Sequence, residues 1–263
     1  MTASPHPSDA PPAHALVLIH GAGGDSTVWA AQLEWFAARH RPALALELPA
    51  HGGTEGAPLA SVEAMADWVL HEITTRGLGK VALAGHSMGS LVALHAAATQ
   101  PQRVCALAML GTAVPMRVSS RLLAQAEADP LHAIDNVVRW SYAQPAPDHP
   151  PSGFQSPQQY RELLARQQAG WTGGSLLATD LAACDRYAAG EASARRWTGP
   201  TLLLLGRQDR MTPPENAATL RATLAGARTE VFDCGHNLMA EAPLAVAQAL
   251  GDWLERSVDA LPG

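Results

Sequence analysis

The sequence predicts an α/β fold: a mostly parallel, doubly wound sheet of about six strands, with a helical insertion between the fourth and fifth. Three observations carry this. Short continuous apolar runs, the mark of strands buried on both faces, alternate with amphipathic stretches. The alternation stops after Gly111 and resumes at Gly199, with only helical periodicity between. The apolar runs end in glycine-rich or polar loops, which a parallel sheet collects along one edge.

The elements follow in order. Ala15-Leu16-Val17-Leu18-Ile19 reads as the first buried strand. His20-Gly21-Ala22-Gly23-Gly24-Asp25-Ser26 comes next, a loop that lets backbone N–H groups approach a ligand, or by itself a flexible turn. Residues 26–40 read as a helix with Val28, Trp29, Leu33 and Phe36 on its apolar face and Ser26 as N-cap. A second strand spans 43–48 and stops at Pro49; the turn-rich loop behind it holds His51, whose two following glycines favour a structural role. Residues 61–76 form a helix with Val62, Met65, Ala66, Val69, Leu70 and Ile73 on one face. Residues 80–84 form the third strand, 91–99 a helix and 104–110 the fourth strand.

From 112 to 197 the periodicity predicts helices over 119–128, 131–142, 156–169 and 175–187. Prolines 145, 147, 150 and 151 separate the second from the third, and Trp140, Tyr142, Phe154, Tyr160 and Trp171 concentrate aromatics here. A helical insertion has no sheet position to fill, so 112–197 is expected to cover the C-terminal edge as a lid on a core of 14–111 and 198–263. A fifth strand (201–206), a helix (215–224), a sixth strand (228–232) and a closing helix (243–257) complete the chain. Residues 1–13, rich in Pro, Ala and Ser, read as a disordered tail.

Chemistry enters at the third strand. Gly85-His86-Ser87-Met88-Gly89 fits G-x-S-x-G between an apolar strand and an apolar helix. Such a turn strains the central residue and holds its hydroxyl out at the sheet edge. The Met88 amide, at a helix N-terminus, is placed to stabilise an anion. Asp209 and His236 follow later strands and lie on the same edge as Ser87. A serine hydroxyl needs an imidazole to take its proton, and the imidazole needs a carboxylate to fix its tautomer. Of the eleven histidines only His236 sits in a glycine loop behind a late strand; Asp233 is the nearest rival to Asp209 for the acid. No His/Cys group has zinc spacing, and neither metal nor cofactor is expected.

With 263 residues and a net charge of -6, the chain can bury a sizeable core and argues against nucleic acid or an anionic membrane as partner. Cys105, Cys184 and Cys234 are isolated, which points to a reducing, cytoplasmic setting. No signal peptide or transmembrane run is read, and a monomer or homodimer is expected.

These residues together resemble the α/β-hydrolase superfamily over almost the whole chain. The matches are His20-Gly21 with Trp29, Pro49-x-His51-Gly52-x-Thr54, the Ser87 elbow, Gly206-Arg207-Gln208-Asp209 with Thr212-Pro213, and Gly235-His236 with Glu241-x-Pro243. The look is that of capped esterases, enol-lactonases and cofactor-free haloperoxidases. The resemblance implies a Ser87–His236–Asp209 triad and an oxyanion hole from the amides of Ala22 and Met88. It implies cleavage of a small-molecule ester or lactone through an acyl-enzyme. A thioesterase, C–C bond hydrolase or perhydrolase/haloperoxidase would use the same triad, and a non-catalytic ligand receptor is the remote alternative. Gly21, Trp140, Trp171 and Leu238 are the candidates for substrate contact. The lid's aromatics point to an apolar group, with Arg139, Arg161 and Arg186 on solvated helix faces. Glu47 and Ala50 stand where the family usually has Asp and Gly, which bears on loop geometry, and the family's opening hairpin is expected to be reduced or absent.

Overall fold

The computed structural model describes residues 14–145, 148–224 and 226–257; the expected disordered tail lies outside them. Six strands form one all-parallel sheet in the order β2-β1-β3-β4-β5-β6. They are β1 Leu16–Ile19, β2 Ala43–Leu46, β3 Val81–His86, β4 Val104–Leu110, β5 Thr201–Gly206 and β6 Arg228–Phe232. From β1, one strand in from the edge, the order steps outward to β2 and then returns past β1 to add β3 to β6 on the other side. That reversal between β1 and β3 opens a crevice beyond the strand ends, where such sheets bind ligands. No antiparallel hairpin precedes β1 among the described residues.

Alternation along the strands sorts the core into two faces. Leu16, Leu18, Ala82, Ala84, Ala106 and Ala108 point into one apolar cluster; Val17, Ile19, Val81, Leu83, Leu107 and Met109 point into the other. Helices α1 (Ala30–Ala37) and, at the end of the chain, α11 (Pro243–Ser257) pack together over the first. Helices α2 (Val62–Thr75) and α3 (Met88–Thr99) pack together over the second. Helix α3 is buried nearly all round, and its sequence is apolar on every side to match. Ser61 caps α2 through the Ala64 amide, and the six apolar residues expected on one face are all buried. One cap differs from expectation. Asp25, not Ser26, accepts from the Thr27 amide, and the turn that follows is 3-10 before α1 begins. Ser26 is drawn away to Glu47, to which its hydroxyl donates at 2.5 Å.

Between β4 and β5 run α4 (Ser120–Ala128), α5 (Pro130–Ser141), α6 (Pro157–Gly170), α7 (Leu176–Arg186) and α8 (Gly190–Arg196). The first four begin at side-chain caps, from Ser119, Asp129, Ser156 and Ser175 respectively. They pack on one another. Helix α8 is not among the expected helices, and it does not join them. It packs against α3 and against α9 (Ala218–Thr223), with Ala194 and Trp197 in the second core face. Its seven residues, GEASARR, carry too little apolar periodicity to announce a helix. The short α10 (Leu238–Glu241), behind the loop that follows β6, is likewise unexpected. No helix among the described residues is long and apolar enough to cross a membrane.

Candidate active site

The turn from β3 to α3 is built by steric exclusion. A Cβ on Gly85 would lie 2.0 Å from the Gly89 carbonyl oxygen, and one on Gly89 would lie 2.4 Å from that of Ile19. Helix and strand therefore touch backbone to backbone, as only glycine allows. Ser87 between them has φ 51° and ψ -118°. Such strain costs roughly 1–3 kcal/mol and persists only where the surroundings over-determine it. Here the Ser87 amide donates to the Leu110 carbonyl at 2.8 Å, and the Ser87 carbonyl accepts from the amide and hydroxyl of Ser90 at 2.9 and 2.5 Å. The Ser90 hydroxyl also contacts that of Thr112 at 2.7 Å.

Asp209, in the turn after β5, and His236, in the loop after β6, meet with Nδ1 of the imidazole 2.8 Å from Oδ2 of the carboxylate. Both are buried. Asp209 is saturated: Oδ1 accepts from the amides of Met211 and Thr212 at 2.8 and 2.7 Å, and Oδ2 accepts from the Thr212 hydroxyl at 2.8 Å. Burial alone would raise the Asp209 pKa. The charge of His236 and the hydrogen bonds from His236 and Thr212 outweigh it and hold the carboxyl at about 2. The rival Asp233 is exposed and accepts from the Gln208 side chain instead. His86 lies beneath His236, ring centroids 4.7 Å apart, and its Nε2–H donates to the His236 carbonyl at 2.9 Å. Burial, reinforced by the neighbouring His236, lowers the His86 pKa to about 3 and keeps it neutral.

Two adjoining cavities open at Ser87. The larger, about 210 Å³, is lined by Ala22 and Ser87 from the core, by Met116, Val118, Leu122, Trp140, Leu181 and Cys184, and by Arg117, Arg210 and Met211 at its edge. The smaller, about 20 Å³, joins Gly21, Ala22, His86, Ser87 and His236 to Val137, Ser141 and Tyr160. Both are walled by α4–α7, so the insertion supplies the apolar side of a crevice whose polar side is the sheet edge. Gly21 lacks a Cβ because one would sit 2.9 Å from His86 Nδ1.

Of the four residues expected to touch substrate, Gly21 and Trp140 line these cavities. Trp171 and Leu238 do not. Trp171, just past α6, lines a separate cleft of about 520 Å³ with Arg166 and the 50–56 loop, because the C-terminal end of α6 lies beside the loop after β2 and not over Ser87. Leu238 starts α10 and is fully buried in the first core face. Arg139, Arg161 and Arg186 bond to Asn136, Asp135 and the Ala60 carbonyl away from the cavities. The residue most clearly overlooked is Thr212, which braces both Asp209 and His236 Nδ1 (3.1 Å); its spacing three after an Asp in a turn is the signal that could have found it.

His51 is also in this region, and it too faces a carboxylate. Its Nε2 lies 3.0 Å from Asp180 Oδ2 on α7, with both side chains buried.

A profile of the alpha/beta hydrolase family matches residues 16–249, and the chain belongs to that family. It is 42% identical over 96 residues to an (E)-2-((N-methylformamido)methylene)succinate hydrolase of Acinetobacter baylyi, a match covering 36% of each chain. It is 29% identical to a pimeloyl-[acyl-carrier protein] methyl ester esterase of Neisseria meningitidis, over 82% of this chain and 68% of that one. In structure it superposes on a thermophilic esterase of Thermogutta terrifontis with a TM-score of 0.80, 22% identity and coverage of 93% and 90%.

Proposed function

We propose that the protein hydrolyses a carboxylic ester or lactone through an acyl-enzyme on Ser87. The observation that carries this is the buried Asp209–His236 pair opening onto the same cavity as Ser87 and Ala22. Ser87 Oγ attacks the carbonyl carbon and passes its proton to His236 Nε2, while Asp209 stabilises the imidazolium. The amides of Ala22 and Met88 hold the oxyanion. As the tetrahedral intermediate collapses, His236 returns the proton to the leaving alkoxide. A water then gives its proton to His236, attacks the acyl carbon and releases the acid and Ser87. Helices α4–α7 act as the cap that keeps the crevice apolar.

The test is hydrolysis of p-nitrophenyl esters from acetate to palmitate by wild type and Ser87→Ala. Turnover of short and medium chains, lowered by several orders of magnitude in the variant, is the expected result. Unchanged turnover in Ser87→Ala would overturn the assignment. The small cavity supports short acyl groups, since drug-sized ligands occupy about 300–1,000 Å³.

The rim adds a preference that differs from the purely apolar one expected. Arg117 and Arg210 edge the cavity, no acid lines it, and neither guanidinium has an ion pair among the described residues. Substrates carrying a carboxylate beyond the scissile bond fit that edge, and the name of the succinate hydrolase is consistent with such acids. A monomethyl dicarboxylate should exceed the matched uncharged ester in kcat/KM by about tenfold, the worth of one charge-assisted contact. Equal values would remove this preference and leave the chemistry standing. Cys105, Cys184 and Cys234 are buried as thiols, which supports a reducing compartment such as the cytoplasm.

A further inference from the structure

We propose that His51 and Asp180 form a second, charged pair by which the cap sets the geometry of the oxyanion loop, making both positioning residues for the hydrolysis proposed above. The proposal rests on that reading for its function and on hydrogen-bond geometry for its charge.

The two nitrogens of His51 both end on acceptors. Nδ1 lies 3.0 Å from the Pro49 carbonyl and Nε2 lies 3.0 Å from Asp180 Oδ2. A neutral imidazole has one N–H, so satisfying both contacts requires the imidazolium. The alternative, a proton on Asp180 Oδ2, is disfavoured by that oxygen's second contact, because it also accepts from the Gly23 amide at 2.8 Å and a carboxylate oxygen is the stronger acceptor. Asp180 Oδ1 has no hydrogen-bond partner, so the positive charge of His51 is what compensates the carboxylate. His20 shows the contrasting case next door, ring centroids 4.8 Å away. Its Nε2 accepts from the Leu48 amide at 3.2 Å and its Nδ1–H donates to the Gly21 carbonyl at 2.9 Å, which defines a neutral tautomer.

The contacts bracket the residue assigned to the oxyanion hole. On one side of Ala22 the Gly21 carbonyl is held by His20 and by the Gly24 amide at 3.1 Å. On the other the Gly23 amide is held by Asp180, a residue of the insertion. The Ala22 N–H shares a peptide plane with the Gly21 carbonyl, which the core holds, while Asp180 fixes the adjoining plane at Gly23, so a helix that is not part of the sheet core clamps the far side of the loop around Ala22.

The groups facing the pair agree with the charge state. Burial opposes the positive charge on His51, but the Asp180 carboxylate and the hydrogen bonds to Asp180 and the Pro49 carbonyl raise its pKa above the ordinary 6.5. Burial, then the charge on His51, lowers that of His20 to about 4. Asp25 is engaged by the Gln167 side chain at 2.6 Å and by Arg166 at 3.5 Å, and Glu47 by the Ser26 hydroxyl. On α7, the Cys184 thiol is kept protonated by burial and then by Asp180, and Asp185 accepts from the Val118 amide.

The experiment uses the full chain and three variants, Asp180→Asn, His51→Gln and Ser87→Ala. Nitrogen-15 NMR of labelled histidine, titrated upward from the ordinary 6.5, should show an imidazolium that keeps both protons beyond that value and is absent from His51→Gln. Asp180→Asn should lower kcat by about 10- to 100-fold with KM nearly unchanged, since an oxyanion donor acts chiefly in the transition state. It should also lose the alkaline fall in kcat that deprotonation of His51 causes in wild type. The proposal is overturned if no imidazolium outlasts the ordinary titration in wild type, or if the one that does persists in His51→Gln. It is equally overturned if Asp180→Asn keeps the wild-type kcat and pH profile, or lowers activity only in proportion to folded protein by circular dichroism. Should Ser87→Ala remain active, the hydrolase reading fails instead, and the NMR result still decides whether the charged pair exists.

Discussion

The molecule buries two histidine–aspartate pairs near the crevice at Ser87, and their hydrogen bonding differs. His236 and Asp209 meet at 2.8 Å, His51 and Asp180 at 3.0 Å, and all four side chains are nearly inaccessible. In the first pair the partners crowd one side of the ring: Asp209 and Thr212 both engage Nδ1, and the ring borders the cavity that holds Ser87. In the second pair both nitrogens are spent, on Asp180 and on a backbone carbonyl. The carboxylates differ as well. Asp209 receives two amides and a hydroxyl besides the imidazole, whereas Asp180 keeps an oxygen with no partner. Proximity of His to Asp is therefore not by itself chemistry. A ring with a nitrogen left open to a reactant can move a proton; a ring closed at both ends can only carry charge and hold position.

The comparison breaks first on rate. Asp209→Asn should reduce kcat for ester hydrolysis by about four orders of magnitude, because the wrong His236 tautomer is then favoured. His51→Gln should stay within about 100-fold of wild type, the size of a displaced oxyanion donor. Equal losses in steady-state assays of the two variants would erase the distinction. The pairs should next separate on pH. Asp209 titrates below its ordinary 3.8, so its share of stability is complete above that value and is lost as pH falls through about 2. His51 titrates above its ordinary 6.5, so its share is complete below 6.5 and is lost as pH rises through the elevated value. Melting curves across pH should thus show the gap between wild type and Asp180→Asn closing on the alkaline side. The gap for Asp209→Asn should close only in strong acid. His20 and His86, buried neutral, add acid sensitivity of their own: stability declines as pH drops from 6.5 toward about 4 and about 3.

The smallest effect concerns the loop that carries His51. Ala50 has φ 68°, the left-handed region, at the position where the family resemblance places glycine. Ala50→Gly removes roughly 1–2 kcal/mol of strain, less the roughly 0.4–1 kcal/mol cost of a freer unfolded chain. A gain of up to about 1 kcal/mol in chemical denaturation is expected, and a loss would show that the Ala50 methyl is needed for packing.

Much of this architecture is legible in the residues themselves. Strands β1 to β5 are apolar runs with a punctuating glycine, proline or polar loop, and β4 is bounded to the residue by that pattern; β6, RTEVF, is a partly exposed edge strand. Ser87, Asp209 and His236 are legible because a parallel sheet must gather its strand ends. Helix α8 is not, because its place depends on α3 and not on its own periodicity. Trp171 and Leu238 are misplaced by the sequence for a related reason. Aromatic content and position in a loop do not say which way a side chain turns; the exit angle of α6 and the packing of α10 do.

The sequence alone determined the fold and the order of the chemical groups, because burial periodicity and strand ends are local properties that follow from residue type. Only the tertiary structure decided which histidine keeps an open nitrogen. His51 and His236 both stand beside glycine in loops behind strands; the sequence favours His236 by its place behind a late strand, but says nothing of what either ring nitrogen meets. The difference arises from partners 129 and 27 residues distant, Asp180 and Asp209, which meet their rings only once α7 has packed and β6 has paired with β5.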